Sequence, residues 1–301
     1  MKMRMSFITL VISSWALVVS LGAVAQTKIQ YGNDPMQYGE FFIPEGDGPF
    51  PVVTFLHAGC WSSSERLMNS FRDMAGTMNE LGVAAWHLQF RGANNPGGGW
   101  PGTWLDMANG FDQLKEIAED HPIDLDRVVI VGHSAGGHFG AWLAMRDQLP
   151  PNSEIYVEPQ VQLQGLVIAD AFMDPLVIDS YSVEGDIFCR EPTLGNLVGG
   201  PVEENVDNFH QISPLQWLPW GVPQEYVVST LRYPVSLPRH LAEGRTTLRM
   251  PDYPALAVQA GDEINVQLIS NEGHGAFTRK GTRGYAATVA AALRMLGMAE
   301  W

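Results

Sequence analysis

Apolar positions follow two alternating rhythms along this chain. Short, largely apolar runs at residues 52–56, 83–88, 128–131, 165–169 and 264–269 have the length of strands buried on both faces. Residues 37–43 add a strand ahead of a Pro/Gly turn at 44–49, and residues 226–228 a weaker one. Between these runs the apolar spacing becomes helical. Leu105, Ala108, Phe111, Leu114, Ile117 and Ala118 share one face of a helix expected from residue 104 to about 119. Thr103 is placed to cap it, with Asp106 reaching back in its first turn. Ser62-x-x-Glu65 reads as a capping box opening an earlier helix that ends near Leu81 and Gly82. Helices are also expected at 139–145, 253–260 and 284–296. Strands that alternate with helices predict right-handed crossovers and an α/β fold, a mostly parallel central sheet with helices on both faces. There are no internal repeats, so one domain is expected over residues 26–301. The alternation lapses at residues 171–224. This stretch is rich in Pro and Gly and carries Phe172, Phe188, Phe209, Trp217 and Trp220, which suggests a lid-like insertion before the last strands.

The first 25 residues break the pattern in another way. Lys2 and Arg4 precede an apolar run from residue 7 to 19, and Ala23-Val24-Ala25 offers a small-x-small cleavage site. That is the form of a secretory signal peptide, so the mature chain is expected to be secreted or periplasmic, without stable membrane association after cleavage. The formal charge of the 301-residue chain is −15, and loss of Lys2 and Arg4 makes it more negative still. This argues against nucleic acid as a partner. It carries no reading of oligomeric state. Two cysteines, Cys60 and Cys189, are present. An oxidising compartment allows a bridge between them, and the spacing alone is equally consistent with two separate thiols.

The chemistry centres on one turn. The β-branched run Val128–Val131 meets Gly132-His133-Ser134-Ala135-Gly136-Gly137-His138, and a helix-compatible segment follows. This is G-x-S-x-G in a strand–turn–helix setting, which exposes Ser134 beside the first amides of a helix. Glycines at 132 and 136 let the chain cross close to itself. A serine hydroxyl needs a base, and in this arrangement the histidine comes last in the chain. His274 lies just after the last expected strand and fits that place. His240 follows no clear strand end. His57-Ala58-Gly59-Cys60-Trp61 directly follows the 52–56 strand, so the amides of Gly59 and Ala135 are candidates for an oxyanion hole. His57 is read as holding its loop. His133 and His138 are five apart and do not share a helix face, so no metal pair is expected.

These segments resemble the α/β-hydrolase superfamily. The likeness is to its bacterial esterase/lipase group, similar to kynurenine formamidases and prolyl-oligopeptidase-type hydrolases. It rests on His57–Trp61, on Gly97 to Asp106, on Ile123 to Val128 leading into the Ser134 turn, and on Ala260-Gly261-Asp262 and Gly273-His274. The resemblance implies hydrolysis of a small-molecule ester or amide through an acyl-enzyme, without a cofactor. Two departures stand out. Ala58 replaces a glycine, which leaves the oxyanion contact intact if its φ is negative. The family's aspartate after the 226–228 strand is missing, since the chain there reads Ser229-Thr230-Leu231-Arg232-Tyr233. Three arrangements remain open. The acid has moved to the end of the preceding strand, where Asp170 stands ahead of Asp174; or a lid carboxylate or Asp252 folds in; or Ser134 and His274 act as a dyad. The leading expectation is a serine hydrolase with Ser134, His274 and Asp170. Arylformamidase or peptidase chemistry would use the same parts, and the missing acid also motivates a non-catalytic binding protein on a hydrolase fold.

Overall fold

The computed structural model describes residues 25–173, 189, 193–230 and 253–298. Its centre is an eight-stranded sheet: β1 (Ala25–Gln30), β2 (Tyr38–Ile43), β3 (Phe50–Leu56), β4 (Ala84–Leu88), β5 (Ile123–His133), β6 (Gly165–Ala169), β7 (Gln224–Ser229) and β8 (Ile264–Ile269). The strand order is β1-β2-β4-β3-β5-β6-β7-β8. The first two pairings are antiparallel and the other five parallel, as the alternating pattern predicts.

Alternate residues of each strand feed opposite sides, because side chains switch faces at every step. On one side Val52, Leu56, Val128, Ile130, Leu166 and Ile168 pack with α2 (Gly102–Asp112), α3 (Leu114–Asp120) and α4 (Ala135–Met145). On the other, Val53, Phe55, Val129, Val131 and Val167 pack with α1 (Arg72–Glu80) and α8 (Arg283–Met295). The described part of the long insertion contains α5 (Thr193–Val198) and α6 (Val206–Gln211). Two buried indoles tie it to the core: Trp104 donates to the Leu197 carbonyl at 3.0 Å and Trp142 to that of Gln211 at 3.1 Å. A further helix, α7 (Tyr253–Ala260), precedes β8. Phe188, Asp174, His240 and Asp252 lie outside the described residues.

Three local expectations give way. The Ser62/Glu65 box does not open a helix. Ser62 donates its amide to Gly59, Ser63 is held by Asn94, and α1 begins only at Arg72 after a 3-10 turn at Leu67–Phe71. Thr103 does not cap α2, because its hydroxyl accepts from Gly99 and donates to the Arg91 carbonyl. Asp106 is a buried acceptor for Arg91 and Gln37. The long helix divides at Gln113, which keeps helical dihedrals. Strand β1 was not anticipated, since Thr27, Lys28 and Gln30 give it no apolar run.

Candidate active site

The parallel pairings gather the C-terminal ends of β3, β5, β6, β7 and β8 on one edge of the sheet, where loops are free to vary. The last ladder bonds fix what stands there. Ser134 donates its amide to the Ala169 carbonyl at 3.0 Å, and Asp170 donates its amide to Val227 at 2.8 Å. The turn after β5 and the turn after β6 are therefore set side by side.

Ser134 has φ 55 and ψ −123, a conformation costly for a residue with a Cβ. Close approach explains the glycines around it. A Cβ on Gly132 would lie 2.2 Å from the Gly136 carbonyl oxygen, and one on Gly136 would lie 1.9 Å from that of Leu56. The half-buried Ser134 stands at the N-terminus of α4. Ala135 is the first residue of that helix, so its amide has no carbonyl within the helix to bond.

His274 follows β8 and opens a 3-10 turn. Its Nδ1 lies 2.6 Å from Oδ2 of Asp170, whose side chain is wholly buried while that of His274 keeps 25% of its exposure. Oδ1 of Asp170 accepts the amide of Ser229 at 3.0 Å. Ser229 ends β7, close to where the resemblance implies the acid. Here that strand end supplies a donor to Asp170, and its hydroxyl bonds the Glu272 carbonyl at 2.5 Å. The structure thus brings Asp170, at the end of β6, to His274.

Further contacts fix the His274 loop. The Nε2–H of His133 donates to the His274 carbonyl at 2.9 Å, and the two rings lie 4.4 Å apart. Glu272 accepts the amides of Arg283 at 3.0 Å and Gly284 at 2.7 Å, anchoring the loop to the N-terminus of α8. Those backbone amides, with Arg283, hold the Glu272 carboxyl below its ordinary range. Sequence reading missed the part played by His133, Ser229 and Glu272. No motif marks contacts made across strands.

On the β3 side, Gly59 has φ 137, and a Cβ there would meet Leu67 at 2.6 Å. Ala58 is absent from the non-glycine residues with positive φ, so the condition on its amide is met. His57 is buried and bonded to the Ala58 carbonyl and the Gln89 side chain, and burial pushes its pKa down. It holds the loop. Trp61 donates its indole N–H to Nδ1 of His138 on α4 at 3.0 Å, which ties this loop to the helix behind Ser134. Asp262 lies apart from the site and accepts the amides of Trp220 and Gly221.

Comparison with known proteins bears on the family and the fold. The BD-FAE family model matches residues 40–228, more than half of the chain. The chain belongs to the BD-FAE family. The matched segment holds Gly59, Ser134, Ala135 and Asp170 and ends before His274. Among curated proteins, the chain is 24% identical over 128 residues to "Probable isoprenylcysteine alpha-carbonyl methylesterase ICMEL1" of Arabidopsis thaliana, covering 42% of this chain and 26% of that protein. It is 23% identical over 154 residues to "Esterase LipC" of Mycobacterium tuberculosis, covering 47% and 37%. It therefore spans well under half the length of these relatives. Among solved structures, esterase B from Lactobacillus rhamnosis in a phosphonate-inhibited form superposes with TM-score 0.66 at 17% identity, over 91% of this chain and 84% of that one. The propionate-bound Est2 esterase of Thermogutta terrifontis gives 0.64 at 17%, over 90% and 93%. This BD-FAE member therefore has the α/β-hydrolase fold that its motifs imply.

Proposed function

We propose that this protein is a serine hydrolase that cleaves a small carboxylic ester or related acyl compound through an acyl-enzyme. The observation that carries the reading is the 2.6 Å contact of His274 Nδ1 with the buried Asp170, one strand over from the Ser134 turn. With the Nδ1 proton committed to Asp170, Nε2 keeps its lone pair for the serine proton. Ser134 Oγ then attacks the acyl carbon, and His274 takes its proton. The amides of Ala135 and Gly59 receive the oxyanion, where each donor is worth ~3 kcal/mol of barrier. His274 returns the proton to the leaving group; water, deprotonated by the same nitrogen, then attacks the acyl carbon, and the proton passes to Ser134 Oγ as the acid leaves. The esterase names among the relatives support the ester class. The signal-peptide-like pattern of residues 1–25 supports reading the mature protein as secreted or periplasmic. So does the structure's Cys60–Cys189 disulfide, a bridge of a kind that persists in oxidising compartments.

The test is turnover of short p-nitrophenyl acyl esters. Asp170→Asn lowers kcat by about 10⁴-fold, as loss of the orienting carboxylate does in other triads, and Asp174→Asn leaves it near native. Loss of turnover in Asp174→Asn with Asp170→Asn active would overturn the assignment of the acid.

A further inference from the structure

The loop after β3 has an unusual backbone. Gly59, Cys60 and Trp61 take φ 137, 53 and 55 in succession. Glycine adopts such a φ freely, but Cys60 and Trp61 do not, and such conformations persist only where surrounding contacts enforce them. For Trp61 the enforcing contacts are clear: its side chain is buried, its indole is bonded to His138, and its carbonyl accepts the Ala93 amide at 2.8 Å. Gly59 is closed into the turn by its carbonyl, which accepts the Ser62 amide at 2.9 Å. The half-buried Cys60 lies inside that turn and is held by a covalent bond as well. Its sulfur is joined to Cys189, 129 residues away in the insertion, with the two Cα atoms 5.3 Å apart.

We propose that the Cys60–Cys189 disulfide is a positioning element for the Gly59 amide, so that turnover requires the bridge to be closed. The inference rests on the reading of Gly59 as an oxyanion donor. A dithiol reductant delivers two electrons and two protons. The S–S bond becomes two thiols and the reductant closes to its own disulfide. Cys60 then loses its covalent restraint, the φ of 53 is held less firmly, and the amide one residue earlier shifts from the position in which it meets the developing oxyanion. Loss of one such donor lowers kcat by about 10²-fold, with a much smaller effect on ground-state binding.

A bridge spanning this much chain also stabilises the fold, so the test must read more than stability. The full-length protein is assayed on p-nitrophenyl esters well below its melting temperature, oxidised and after dithiothreitol, with thiol alkylation and mass measurement confirming the state of the bridge. The proposal expects kcat to fall at least tenfold on reduction with KM changed less than threefold, and to return on reoxidation. Cys189→Ser, which leaves the loop sequence intact, shows the same loss and no further response to reductant. Cys60→Gly, which accepts φ 53 without penalty, retains more turnover than Cys60→Ser. Equal kcat for oxidised and reduced protein overturns the inference and leaves the hydrolase reading standing. So does a fall confined to KM, or equal loss in Cys60→Gly and Cys60→Ser. Absence of turnover and of fluorophosphonate uptake in the oxidised native protein would instead overturn the hydrolase reading.

Discussion

Five non-glycine residues have positive φ among the described residues: Cys60, Trp61, Ser134, Asp170 and Asn271. All five sit in the loops that carry the candidate site, so the backbone strain of the described residues is concentrated where the chemistry is proposed. For Asp170 the strain sharpens the variant test. Asparagine tolerates φ 46 about as well as aspartate does, so Asp170→Asn removes the charge and leaves the turn. Legibility in the sequence differed residue by residue. The Ser134 turn was readable because its causes are local: two glycines and a β-branched strand within a few positions. His274 was readable from chain order and its place after a strand. Asp170 was one of several candidates. Its pairing with His274 depends on strand register, Ala169 against Val227 and Val227 against Gln267, which composition does not encode. Ser229 and Glu272 gave no signal at all, since what they supply to the site includes backbone groups.

At the scale of elements, the site depends on how closely α4 presses against the end of β3. Gly136 is the contact point, and the atoms a side chain would meet there are backbone oxygens of Leu56 and His57, which cannot swing away. Gly136→Ala is therefore expected to destabilise the fold by about 3 kcal/mol or more. Urea unfolding of the purified variant checks this. A midpoint equal to that of the native protein would mean that α4 and β3 can separate freely. The elements themselves were largely legible, because buried parallel strands and amphipathic helices announce their periods. Their starts were less so. Ser62 and Thr103 both carry capping chemistry, yet neither caps a helix: Ser62 is drawn into a turn by its backbone amide on Gly59, and the Thr103 hydroxyl is spent on Gly99 and Arg91. Local capping signals lose where a loop needs the same hydrogen bonds.

Over the whole molecule, the buried histidines contribute to the response to acid. His57, His87 and His138 are buried, and burial lowers the pKa of each, that of His138 to about 4. Each binds its proton more weakly folded than unfolded. Their stabilisation is therefore complete above the unfolded value near 6.5 and is lost as pH falls toward the folded values. His138 alone accounts for about 2 kcal/mol between pH 7.5 and pH 5. Urea midpoints at those two pH values, in enough salt to screen the net charge of −15, are expected to drop clearly; an unchanged midpoint would contradict the buried, neutral histidines. Fold class and the mostly parallel character of the sheet were legible at this scale, while the strand order and the closing of Cys60 onto Cys189 were not, because only the folded chain sets them. The central claim is that Ser134 is an activated nucleophile. Its most direct test is exposure of the oxidised native protein to a fluorophosphonate, with the modified peptide located by mass spectrometry. The account predicts one label per chain at Ser134, absent in Ser134→Ala and slowed in Asp170→Asn. No label at Ser134, while a known serine hydrolase in the same tube is labelled, would contradict it.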